Sequence, residues 1–170
     1  LLGLEAIRLI AEWLPQFVAN PRNVEAASHM QTACVYAAIC CSNARVGNVH
    51  AMAHPLGGHF DLHHGVACAI LLPHVMDFNV PAAPEKFAEI AHAMGEPVEG
   101  LSLWAAARRA PAAVRDLMRT LEMPMTLGEV EVTADRIPAM ARDAVASGIH
   151  ATNPRVTDFD AIVRLYEASL

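Results

Sequence analysis

Five of the nine histidines in this chain fall between residues 50 and 64: His50, His54, His59, His63 and His64. Neutral imidazole is a common nitrogen ligand for Fe, Zn, Cu and Ni, so convergent histidines point to a metal. His50 and His54 are four residues apart, which places them on one face of a helix with their side chains able to converge. Pro55 disfavours the helical region for the residue before it, so the helix is predicted to end near His54. Gly57 and Gly58 then allow a sharp turn. A short loop is expected to lead to His64, which opens the next helix through Gly65 and the apolar run 66–76. Two helix ends joined by a glycine turn aim His50, His54 and His64 at one point.

The spacing is not that of a zinc protease, because Ala51 stands where an HExxH motif needs its glutamate. His59, His63 and His74 are expected to be solvated or hydrogen-bonded. Glu25 and His29, four apart on another predicted helix, are read as a solvated surface pair rather than a metal pair. Spacing alone makes His50 and His54 the chelating pair.

The stretch HAMAHPLGGHFDLHHG, the following AILLPHVMDFN and the late TNPR at residues 152–155 resemble, in this order, the motifs of the iron-containing (group III) alcohol dehydrogenases. The resemblance covers essentially the whole chain. It implies an all-α helical bundle, the dehydroquinate synthase-like α domain that forms the C-terminal part of that family. It also implies that His50 and His64 bind the catalytic divalent metal and that His54 lies beside metal and substrate and helps in proton transfer. The family assignment is preferred to the pair chosen by spacing. His63 departs from the proline common in the family, which leaves two alternatives: a looser approach to His64 or an extra donor.

The metal implied by the resemblance is divalent, Fe2+ first and Zn2+ as the alternative, since ligand type does not separate them. NAD or NADP would carry the hydride of a small alcohol or aldehyde. In the family an N-terminal α/β domain binds that nucleotide. No strand followed by a glycine-rich phosphate turn and a helix is found here, so no cofactor-binding residues are assigned and the nucleotide domain is expected to be a missing partner. The family's other two ligands are an aspartate and a histidine four residues later; no Asp-x-x-x-His occurs in this sequence. Half of the metal site is therefore expected, and two neutral imidazoles alone should hold metal weakly. The chain opens on LLGLEAIRLIAEWL with no initiating methionine or capping residue, and it is expected to be an N-terminally truncated fragment, inactive alone. A free-standing helical metal-binding or interaction module is the competing expectation from another class.

Composition bounds these readings. A length of 170 residues suits one domain, residues 1–170. The hydrophobic share is 54%, on the high side for a soluble domain, so some apolar surface should meet a neighbour and a homo-oligomer is expected. Net charge is −6, and no basic cluster exceeds Arg108 with Arg109, which argues against nucleic acid. The longest unbroken apolar runs, 33–41 and 66–73, fall short of the roughly eighteen residues that span a bilayer. Neither a membrane segment nor a signal peptide is expected. Cys34, Cys40, Cys41 and Cys68 lack CxxC spacing and read as buried thiols of a cytoplasmic protein.

Along the chain, the first helix is expected to end near Pro15, and residues 20–23 form a loop. Residues 24 to about 45 read as a long helix rich in small side chains, central to a bundle. Pro84 opens a helix that Gly95 stops. Ser102 caps a helix to about residue 121 with a kink at Pro111. A helix over 134–147 closes at Gly148. Thr157 and Asp160 resemble a capping box for the last helix. No segment alternates as a strand does, so six to eight helices are expected.

Overall fold

The computed structural model describes all 170 residues, and every regular element in it is helical. Eight α-helices occur in the order α1 (Leu2–Ala19), α2 (Val24–Ala44), α3 (Asn48–Phe60), α4 (His64–Asn79), α5 (Pro84–Ala93), α6 (Leu103–Thr120), α7 (Ile137–Ala146) and α8 (Phe159–Ala168). Short 3-10 turns lie at Val80–Ala82, Gly128–Val130, Ala134–Arg136 and Ile149–Thr152.

The chain divides into two compact units, Leu1–Arg45 with Ala83–Leu121, and Val46–Ala82 with Glu122–Leu170. In the first, α1 packs along α2 and α5 along α6. Its α1 runs through Pro15 rather than stopping there. The side chain of Asn23 caps α2 on the Ala26 amide, yet α2 buries only Ala26 and Ala33. Val24, Val35 and Ile39 remain exposed on it, so this helix is not a central one. The apolar surface expected from composition is found here. Ser102 caps α6 as its sequence implies, and Pro111 lies inside that helix.

In the second unit α3 packs on α4 and α7, and α7 on α8. Met52, Leu56, Ile70, Leu71, Met140, Ile162 and Tyr166 form the fully buried centre of its core. Burying an aliphatic side chain of this size contributes about 1.5–3 kcal/mol. That explains the largest difference from the sequence expectation. α3 does not end near His54; it continues through Pro55, Gly57 and Gly58 to Phe60. Pro55 forfeits one helical hydrogen bond, but Pro55 and Leu56 are both buried, which offsets the loss. The helix closes instead at Asp61, in the left-handed region at φ 52° and ψ 27°.

α4 is followed by the Val80–Ala82 turn, and the stretch His64–Ala82 (19 residues) is long and apolar enough, by length and composition, to cross a membrane. Counting unbroken runs missed this, because His74 and Asp77 interrupt the apolar stretch without greatly lowering its average. Ala67, Ile70, Leu71 and Val75 of this helix lie in the core of the unit, which accounts for its apolar composition. Gly95 and Gly148 end α5 and α7 with φ of 86° and 70°, conformations that glycine adopts without strain. The last helix is capped by Asp158, which accepts from the Ala161 amide at 2.8 Å, and not by Thr157. Thr157 is turned inward, where its hydroxyl accepts from Asn48 Nδ2 at 2.9 Å.

Candidate metal centre

α3 and α4 place three imidazoles together. The ring centroids of His50 and His64 are 5.4 Å apart, those of His54 and His64 5.5 Å, and those of His50 and His54 6.4 Å. His50 and His54 project from one face of α3, and His64 opens α4. Ligating atoms of His50, His64 and Cys68 all lie within 4.8 Å of one another; His54 is outside this tighter set. Burial, and then the charges of His64 and His54, push the His50 imidazole below its usual pKa. It therefore favours the neutral form whose lone pair a metal needs.

The first turn of α3 is braced from a distance in sequence. Asn153 Oδ1 accepts from the Asn48 backbone amide at 3.4 Å and from Asn79 Nδ2 at 3.0 Å, while Asn153 Nδ2 donates to Asn79 Oδ1 at 2.7 Å. Arg155 donates to the Phe78 carbonyl at 2.8 Å and lies 4.2 Å from the centre of the Phe78 ring. The TNPR segment thus ties the start of α3 to the end of α4. Midway along α3, the Tyr166 hydroxyl donates to the Met52 carbonyl at 2.6 Å. Burial, and then the charge of Asp143, raise the Tyr166 pKa, keeping it a donor.

Donor type and donor spacing both point to a metal site on α3 and α4, and the whole chain agrees with a known pattern. Residues 1–170 match the model of the Fe-containing alcohol dehydrogenase family, C-terminal. The chain belongs to the iron-containing alcohol dehydrogenase family.

Among its relatives in that iron-containing family, 1,3-propanediol dehydrogenase of Klebsiella pneumoniae is 44% identical over 164 residues, which cover 96% of this chain and 42% of the relative. Lactaldehyde reductase of Escherichia coli (strain K12) is 40% identical over 168 residues, covering 99% of this chain and 44% of the relative. The crystal structure of a 1,3-propanediol oxidoreductase superposes with a TM-score of 0.96 at 42% identity, over 98% of this chain and 44% of that one. The chain thus spans less than half the length of the relatives it matches.

Three of the remaining histidines are otherwise engaged. His59 is on α3, not on a loop, and its Nε2 is 2.8 Å from Asp143 Oδ2. His63 caps α4, its Nδ1 accepting from the Gly65 amide at 3.2 Å. His29 does not pair with Glu25 as its main contact; it stacks on Trp13 with ring centroids 4.3 Å apart. A hollow of about 440 Å³ lies beside His54, lined also by Ala51, Pro55, Gly58, His59, Asp143 and Ser147.

The reading of the cysteines as buried thiols is corrected: Cys34 and Cys41 are exposed, Cys40 and Cys68 partly so, and all are unpaired. α2 covers only one narrow face, which leaves its thiols near solvent. Cys68 Sγ lies 3.4 Å from His64 Nε2, a contact the sequence reading missed. Its signal was present, since residues 64 and 68 share a helix face.

Proposed function

We propose that this chain is the metal-binding half of an NAD(P)-dependent dehydrogenase that interconverts a short-chain alcohol and its aldehyde or ketone. The observation that carries the reading is the convergence of His50 and His64 from two core-anchored helices, with His54 beside them. The donor set fits a divalent metal: imidazoles suit Fe and Zn alike, and the family points first to Fe2+. His50 and His64 would hold it. When bound, the metal supplies Lewis-acid polarisation of the substrate oxygen, and the nicotinamide takes up or delivers the hydride.

His54 adjoins both the cluster and the 440 Å³ hollow. An imidazole nitrogen there can accept the hydroxyl proton during oxidation and return it during reduction. Ala51 and Pro55, both buried, line the hollow beside it. Within the same proposal, a nucleotide-binding domain and two further metal donors come from sequence outside these 170 residues. A cytoplasmic location is also part of it, supported by the four unpaired thiols, which a reducing compartment preserves.

Full-length protein assayed for NAD- and NADP-dependent oxidation of short primary alcohols and diols tests the proposal. Activity should vanish on chelation and return with one divalent metal per chain. Unchanged turnover in metal-free protein would overturn it.

A further inference from the structure

We propose that Asp143, held in place by His59, is a specificity-determining residue that receives a second hydroxyl of the substrate, so that the preferred substrates are alcohols carrying a further hydroxyl at the far end of a short chain. This rests on the reading of His54 as the residue beside metal and substrate, and extends it to the other polar groups of the same hollow.

The hollow of about 440 Å³ lies between α3 and α7, with His54 and His59 on the α3 side and Asp143 and Ser147 on the α7 side. His54 and His59 are five residues apart, so the helix separates them by about 7.5 Å along its axis, at 1.5 Å per residue. That matches a short substrate chain. Pro55 and Gly58 lie between them on the lining, and a Cβ at Gly58 would meet no atom within 4 Å. Methylene groups therefore have an apolar floor to lie on.

The polar groups left open at this hollow are acceptors. Ser147 Oγ donates to the Ala144 carbonyl at 2.7 Å and accepts from the Ile149 amide at 3.2 Å, so it has no hydrogen left for a ligand. Asp143 Oδ2 is 2.8 Å from His59 Nε2. A carboxylate only accepts, so that nitrogen carries the hydrogen and neutral His59 keeps only a lone pair on Nδ1. The contact holds the carboxylate in one orientation and leaves Asp143 Oδ1 for a donor. An anionic or acceptor-only tail finds no partner there and is repelled by the carboxylate. A hydroxyl supplies the missing hydrogen, whereas an ammonium would bring a second cation towards the divalent metal of the proposed centre. The Asp143 side chain is 59% exposed, so water competes and the discrimination is moderate.

The test is oxidation by full-length, metal-loaded protein of linear probes of nearly equal length that differ at the far end: pentanol, butanediol, aminobutanol and hydroxybutanoate. Wild type should favour butanediol over pentanol by about tenfold in kcat/KM, through KM more than kcat. Asp143→Ala should bring that ratio to about one. Asp143→Asn puts an amide donor where the carboxylate stood and should raise kcat/KM for hydroxybutanoate by about fivefold, a gain that misfolding does not produce. His59→Leu should raise KM for butanediol more than for pentanol, and His59→Gln, which keeps a donor towards Asp143, should restore it. The Kd of butanediol from ligand-observed NMR should follow the same order of variants. Equal use of pentanol and butanediol by the wild type, a ratio unchanged in Asp143→Ala, or a preference for aminobutanol overturns the proposal and leaves the histidine site standing. If no probe is oxidised, the reading as an alcohol dehydrogenase falls as well.

Discussion

Asn79 and Asn153 exchange two side-chain hydrogen bonds, 3.0 and 2.7 Å long, across 74 residues of sequence. The same Asn153 oxygen also receives the Asn48 amide, two residues before His50. Asn153→Ala removes these partners at once and leaves part-buried amide groups unpaired. The expected cost is about 1–3 kcal/mol in urea unfolding, together with a lower metal occupancy because the start of α3 is released. A variant of wild-type stability and full metal content would contradict this role.

Tyr166→Phe deletes only the hydroxyl that donates to the Met52 carbonyl at 2.6 Å. Tyr166 is fully buried, so the ring keeps its packing. Stability should fall by about 0.5–1.5 kcal/mol in chemical denaturation. A loss several times larger would mean that the ring has moved and that the bond was not what was removed.

His59 and His63 are predicted not to ligate metal. His59→Gln breaks a partly exposed contact with Asp143, worth about 0.2–1 kcal/mol. His63→Ala removes the cap on α4, at a cost of about 1 kcal/mol. Elemental analysis should find the metal content of both unchanged. A depleted His59→Gln or His63→Ala would bring that residue into the ligand set.

Much of this architecture was legible in the order of residues, and the exceptions share a cause. Ser102, Gly95 and Gly148 act locally, through one cap or one backbone conformation, and each stands where its chemistry implied. Pro55 is also a local signal, but the core contacts of Leu56 and its neighbours come from residues far along the chain and outweigh it. Thr157 failed as a cap because Asn48, more than a hundred residues earlier, engages it. The facing of His50 and His54 was readable from helix periodicity, whereas His64 arrives by a turn at Asp61 and not by the glycine pair, which lies inside α3. Cys68 was overlooked because an isolated thiol in an apolar helix looks like core, and only the placement of His64 gives it a polar neighbour.

In the proposed centre His50 and His64 hold the metal while His54 stands beside it. The decisive measurement is the metal content of full-length His50→Ala, His64→Ala and His54→Ala, each purified in the presence of Fe2+ or Zn2+ and then dialysed. His50→Ala and His64→Ala should come out largely empty, and His54→Ala should retain close to one metal per chain with a lowered turnover. An empty His54→Ala beside a loaded His64→Ala would contradict the account and restore His50 and His54 as the chelating pair.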